Sequence, residues 1–122
     1  MIQIPNTLQE IFNIVSLHLL TQIKRSTKHL KNSWFSACAY RGENGLKCAA
    51  GVLIPDNEYQ PEMECKFWDE LVKENYVENK FVVEIAELQF IHDSNSEETT
   101  DYLKTELIKF AKLHNLTHTI ET

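Results

Sequence analysis

The stretch Cys38–Tyr59, CAYRGENGLKCAAGVLIPDNEY, holds all three glycines of the chain (Gly42, Gly45, Gly51), two of its three cysteines and one of its three prolines. Glycine tolerates positive φ, so its clustering marks a place where the backbone does something specific. Arg41-Gly42-Glu43-Asn44-Gly45 reads as a turn, Asn-Gly being a strong turn signal. Leu46 to Cys48 can pair back on Ala37 to Tyr40 as a short β-hairpin, with Cys38 and Tyr40 on one face and Ala37, Ala39 and Arg41 on the other. Cys48 to Ile54 can extend the strand or wind into a short helix with a small-residue face; the helix is favoured, because two alanines and an interior glycine are poor strand material. Pro55 stops it and opens a turn.

On either side the chain reads as amphipathic helix. Thr7 and Glu10 have capping-box spacing, and Leu8, Ile11, Phe12, Val15, Leu19 and Ile23 recur at helical period, with Ile14, Leu17 and Leu20 widening the face. This predicts a helix over Leu8 to Lys24, with Lys24 and Arg25 complementing its C-terminal dipole. Pro61 suits the start of a second helix, whose apolar stripe is Met63, Phe67 and Leu71, flanked by Trp68 and Val72. A third helix over Phe81 to Ile91 is apolar almost continuously, which predicts the most buried helix of the domain. A fourth begins near Ser94 or Ser96, carries Leu103, Leu107, Phe110 and Ala111 inward, and ends at Asn115.

Length and composition fit one domain, 1–122. A hydrophobic content of 43% with 25% charged residues excludes wholesale disorder. The formal net charge of −6 opposes nonspecific nucleic-acid binding. The bases Lys24, Arg25, Lys28 and Lys31, with His29, form a local basic segment, read as a solvated helix end and linker, with a phosphate-binding patch as the alternative. The N-terminal residues lack a basic leader region, and the apolar run Ile11 to Leu20 is broken by Asn13, Ser16 and His18. The expectation is therefore a cytoplasmic protein with no membrane span, whose three cysteines stay reduced.

Candidate chemistry is sparse. Cys38, Cys48 and Cys65 lack the close pair that anchors a zinc site, so no metal is expected. His92-Asp93 resembles paired metal ligands but has no convincing further ligand, and His114-x-x-x-His118 lacks the HExxH glutamate. Cys48, following Lys47, is the best-placed thiol nucleophile, without a signature to support it. The glycines match no phosphate loop. No catalytic residue and no cofactor is expected. What remains is the loop itself, for which a structural turn is the more frequent explanation and a recognition edge the alternative, formed by Tyr40, Arg41, Glu43, Asn44 and Lys47: an aromatic face, a planar cation and point charges.

Cys38, Tyr40 to Gly42, Gly45 to Gly51 and Leu53 to Tyr59, followed by Pro61, Met63 and Glu64, resemble the pattern of a family of small bacteriophage and prophage proteins. Leu88, Gln89, Ile91, His92 and Asp93 match a later element of that pattern. Val52-Leu53 departs from it, since a second Cys or a His often precedes the Leu-Ile pair there. The resemblance implies a phage origin and brings no activity with it. Taken together, these features predict an α+β fold, mainly helical, with about four helices and one short β-hairpin. The functional expectation is a non-enzymatic phage-encoded protein that binds and modulates a host or host-defence protein. The alternatives are a binder or sponge for a nucleotide-like small molecule, using Tyr40, Arg41 and Lys47, and a metal- or thiol-dependent enzyme using His92, Asp93 or Cys48.

Overall fold

Four α-helices account for most of the regular structure in the computed structural model, which describes residues 1–29 and 36–121, with the backbone alone at 28, 29 and 36–38. Helix α1 spans Leu8–Gln22. Its start is set as the sequence predicts: Thr7 Oγ1 accepts the Glu10 N–H at 3.2 Å. It stops two residues early because Ile23 takes a left-handed φ of 65° while its N–H still donates to Leu19 O. Lys24 and Arg25 thus lie just past the helix. Ile11, Phe12, Val15 and Leu19 are buried, whereas Leu17 faces solvent.

The segment read as a second helix is broken. A single 3-10 turn, Pro61–Met63, buries Met63, and then Cys65 at φ 64° redirects the chain before α2, Trp68–Lys73. The break keeps Met63, Trp68 and Leu71 inside and turns Phe67 outward. Helix α3, Val82–Asp93, and helix α4, Thr100–Leu113, complete the set. Thr99 rather than Ser94 or Ser96 caps α4, its Oγ1 accepting the Tyr102 N–H. At the other end Asn115 adopts φ 55° and Leu116 N–H returns to Ala111 O, a glycine-like C-terminal cap made by asparagine.

One core joins these elements among the described residues. Phe12 of α1 stacks on Phe110 of α4 with ring centroids 5.9 Å apart, and α3 packs against α1, α2 and α4. The N-terminal residues close the bundle. Ile2 and Ile4 are buried, and Ile2 forms a parallel bridge to Val77.

The α+β class with its hairpin is corrected by this architecture, which is helical. Strand content among the described residues is limited to two three-residue strands, β1 (Thr27–His29) and β2 (Ser36–Cys38), paired antiparallel. The predicted pairing of Ala37–Tyr40 with Leu46–Cys48 does not occur. Its hydrogen-bonding groups are committed elsewhere: Ala39 N–H donates to Ser26 O, and the Tyr40 and Arg41 N–H groups donate to the Glu64 carboxylate at 3.0 Å each. Lys47 docks instead on the end of α1, its N–H donating to Gln22 Oε1 and its carbonyl receiving Gln22 Nε2. The turn at the tip does form, with Asn44 and Gly45 at positive φ and Gly42 N–H bonded to Leu46 O.

Past the tip, 48–54 is neither a strand nor an α-helix, and only Gly51–Leu53 winds into a 3-10 turn. Gly51 is required there by close approach, since a Cβ would meet the carbonyl oxygen of Tyr40. Lys31 of the basic segment, and Trp34, lie outside the described residues.

Candidate functional site

Of the residues predicted to form a recognition edge, Tyr40 and Arg41 face inward, Lys47 is half-buried, and Glu43 and Asn44 are exposed. Tyr40 is buried, its hydroxyl donates to Lys66 O at 2.6 Å, and its ring meets Trp68 edge-on. Burial, with the nearby Cys48 and Glu64, raises its pKa beyond the ordinary phenol range. Arg41 spans the loop from within: Nη1 donates to Tyr40 O and Gly51 O, and Nη2 donates to Ile54 O and pairs with Asp56 at 3.0 Å. Its guanidinium also lies over the Tyr59 ring at 5.0 Å. Lys47 reaches the same Asp56 at 3.1 Å, and that hydrogen bond, with the two cationic charges, lowers the Asp56 pKa. Glu43 and Asn44 are exposed at the tip.

The acceptor that organises this loop is Glu64. Its Oε1 accepts the Tyr40 N–H, while Oε2 accepts the Arg41 N–H and the Tyr59 hydroxyl at 2.6 Å. The sequence signal for it was its place directly after the proline turn, and its role depends on a fold that no spacing displays.

His92 and Asp93 do not form a ligand pair. His92 is fully buried, with Nε2 donating to Lys24 O at 3.0 Å, and burial lowers its pKa so that the ring is neutral. Asp93 accepts Gln89 Nε2 at 2.8 Å. Cys48 is buried, and burial pushes its thiol up to about 12, which removes the thiolate that nucleophilic chemistry needs. His114 pairs with Glu87 across the α3–α4 junction at 3.1 Å, not with His118. Among the described residues no three His, Cys, Asp or Glu side chains gather as a metal-binding group.

The feature that sequence reading missed is the outer side of α3. Ile85, Leu88, Ile91 and His92 take the core, but the helix expected to be the most buried leaves Val83 and Phe90 66% and 71% exposed. Phe67, 78% exposed, and Leu113, 74% exposed, extend apolar surface on either side. Two clefts flank this ridge. One of about 660 Å³ lies toward α2 and is walled by Tyr40, Phe67, Trp68, Val82 and Phe90, with Cys48 and Ala50 among its other lining residues. The other, of about 480 Å³, lies toward α4 between Phe90 and Leu113. Val83, Ala86 and Phe90 line both clefts. Their i, i+3, i+7 spacing was legible all along, as the second apolar period of a helix that is apolar on both sides.

No helix among the described residues is long and apolar enough to cross a membrane. No protein-family model, curated protein or solved structure matches the chain.

Proposed function

We propose that this chain is a non-enzymatic binding protein that engages a partner protein through the outer face of α3. The observation that supports it is the exposed set Phe67, Val83, Phe90 and Leu113 around two adjoining apolar clefts. Contiguous apolar surface of this kind, rich in phenylalanine, is what interfaces use and what isolated soluble domains keep small. The partner we propose, taken from the resemblance to a phage family alone, is a host or host-defence protein in the host cytoplasm. The test compares tagged wild type with a Val83→Asp/Phe90→Asp double variant in bacterial cells, using cross-linking and quantitative mass spectrometry. Both positions are exposed, so the variant should melt like wild type. The expected result is one or a few proteins captured by wild type and lost by the variant. If every captured protein is retained by the variant, the reading fails.

A second reading, a small-molecule site, draws on the cleft beside Trp68, whose volume lies within the range of ligand pockets. A nucleotide suits it poorly. The cleft is lined by Glu64, Asp69 and Asp93, while Arg41 and Lys47 are both engaged by Asp56. Thermal shift against nucleotides and against uncharged aromatic fragments separates the two classes of ligand.

A further inference from the structure

We infer that the segment docking on the α3 face is a basic amphipathic helix of the partner. The inference rests on the protein-binding reading and specifies the chemistry of that partner. The chain carries no Lys or Arg from Phe81 to Leu103, and of its six acids there Glu87 and Asp93 line the clefts, Glu87 pairing with His114 at 3.1 Å. The two lysines that line the clefts are already paired, Lys66 with Glu74 at 2.8 Å and Lys109 with Glu106 at 3.3 Å. Asp69 and Asp93, both on the cleft beside Trp68, have no ion-pair partner among the described residues. Glu64 in the same wall is held by neutral donors alone, two N–H groups and a phenol. Its charge is positioned but not neutralised. Tyr40 and Cys48 register the resulting field, since Glu64 and Asp93 both add to the burial that opposes their ionisation.

An apolar ridge bordered by uncompensated carboxylates selects a particular counterpart. A helix laid along α3 would place apolar side chains on either side of Val83, Ala86 and Phe90, using i, i+3, i+4, i+7 anchors. Its Lys and Arg stems would cover the cleft margins while their charged ends reach Asp69 and Asp93. A second copy of this chain is a poor occupant, because α3 against α3 opposes acid to acid, a juxtaposition that interfaces penalise.

The test uses a fluorescein-labelled synthetic peptide of about 18 residues, long enough for about five helical turns, built from Leu at i, i+3, i+4, i+7 and Lys elsewhere. Its affinity for the full chain is read by fluorescence anisotropy. Two controls share its length: one replaces every Lys by Glu, and the other keeps the Leu and Lys composition with the period scrambled. The Leu–Lys helix should bind at least about tenfold more tightly than either control. Val83→Asp/Phe90→Asp should abolish binding even though it adds negative charge, and Asp69→Asn/Asp93→Asn should weaken binding and flatten its salt dependence. Equal binding of the scrambled peptide, or an Asp69→Asn/Asp93→Asn variant indistinguishable from wild type, overturns the inference. So does a dimer in sedimentation that Phe90→Asp converts to monomer, since a second copy would then own the face. If a cellular partner is lost with the double variant yet no basic helix binds, the protein-binding reading survives and this inference does not.

Discussion

Replacing Arg41 with Ala tests whether the glycine-rich loop is held from inside or offers its guanidinium to a ligand. The side chain is 17% exposed and gives hydrogen bonds to the carbonyls of Tyr40, Gly51 and Ile54. Taken at about 1 kcal/mol each, on the cautious side for bonds from a charged donor, these contribute about 3 kcal/mol. The stacking on Tyr59 adds about 0.5 kcal/mol at a partly exposed site. The pair with the exposed Asp56 adds nothing measurable at physiological salt. Arg41→Ala should therefore lose about 3 kcal/mol, which for a domain of this size lowers Tm by about 12 °C. Arg41→Lys keeps the charge but has no planar fork to span three carbonyls, so it should lose about 2 kcal/mol. Urea unfolding followed by circular dichroism gives both values. Arg41→Ala within about 1 kcal/mol of wild type, together with lost partner capture, would refute the internal role and restore Arg41 to a recognition edge.

Gly51→Ala should destabilise by about 2 kcal/mol, read as a fall in Tm, because its Cβ has no space against the Tyr40 backbone. Unchanged stability would mean that the two segments can separate freely. His92 gives a pH dependence of definite sign. Its folded-state pKa lies below the ordinary 6.5, so the fold favours the neutral ring. The unfolded chain then binds the extra proton as pH falls through 6.5. Stability should be full above that value and decline below it by up to about 1.4 kcal/mol per pH unit, until the folded ring also protonates. Asp93 favours the protonated ring while His18 and Arg25 oppose it, and burial outweighs them all. A His92→Gln variant should lose this slope between pH 5.5 and 6.5 in denaturant titrations, and an identical slope in wild type and variant would exclude His92 as its source. Finally, iodoacetamide at neutral pH should alkylate the exposed Cys65 in the native protein and reach Cys48 only after unfolding, as read by peptide mass spectrometry. Rapid native alkylation of Cys48 would place a thiolate in the cleft and reopen thiol chemistry.

Periodicity located α1, α3 and α4 because each buries a regular stripe, and Thr7 and Asn115 marked two of their ends correctly. The errors arose where a backbone group had a distant partner. A hairpin at 37–48 is locally sensible, but Glu64, 23 and 24 residues away, takes the N–H groups of Tyr40 and Arg41, where the expected strand meets its turn. Gln22 takes Lys47 in the same way. Nor does spacing reveal that Cys65 adopts a left-handed backbone, which sends Phe67 outward and ends the stripe Met63–Phe67–Leu71. Arg41, Tyr40 and Lys47 were recognised as unusual from their types and neighbours. Whether they point in or out was set by Asp56, Gly51 and Ile54, whose approach depends on the whole loop.

The third helix shows why near-continuous apolar character does not mean complete burial. Ile85, Leu88 and Ile91 satisfy a helical period, and so do Val83, Ala86 and Phe90; only the neighbours decide which set is covered. Helices α1, α2 and α4 cover the first. Covering the second would add about 1.5–3 kcal/mol for each large side chain taken from water. At 66–78% exposure, Val83, Phe90, Phe67 and Leu113 together leave about 4–9 kcal/mol unrealised, comparable with the whole stability of a domain. A fold selected for stability alone would place polar residues there at little cost. That same free energy is available to association, reduced by the entropy of docking. It also sets a limit on the partner. Apolar contact at this ridge without charge matching gives weak and unselective adhesion, and the cleft carboxylates Asp69 and Asp93 are what would make the face discriminate.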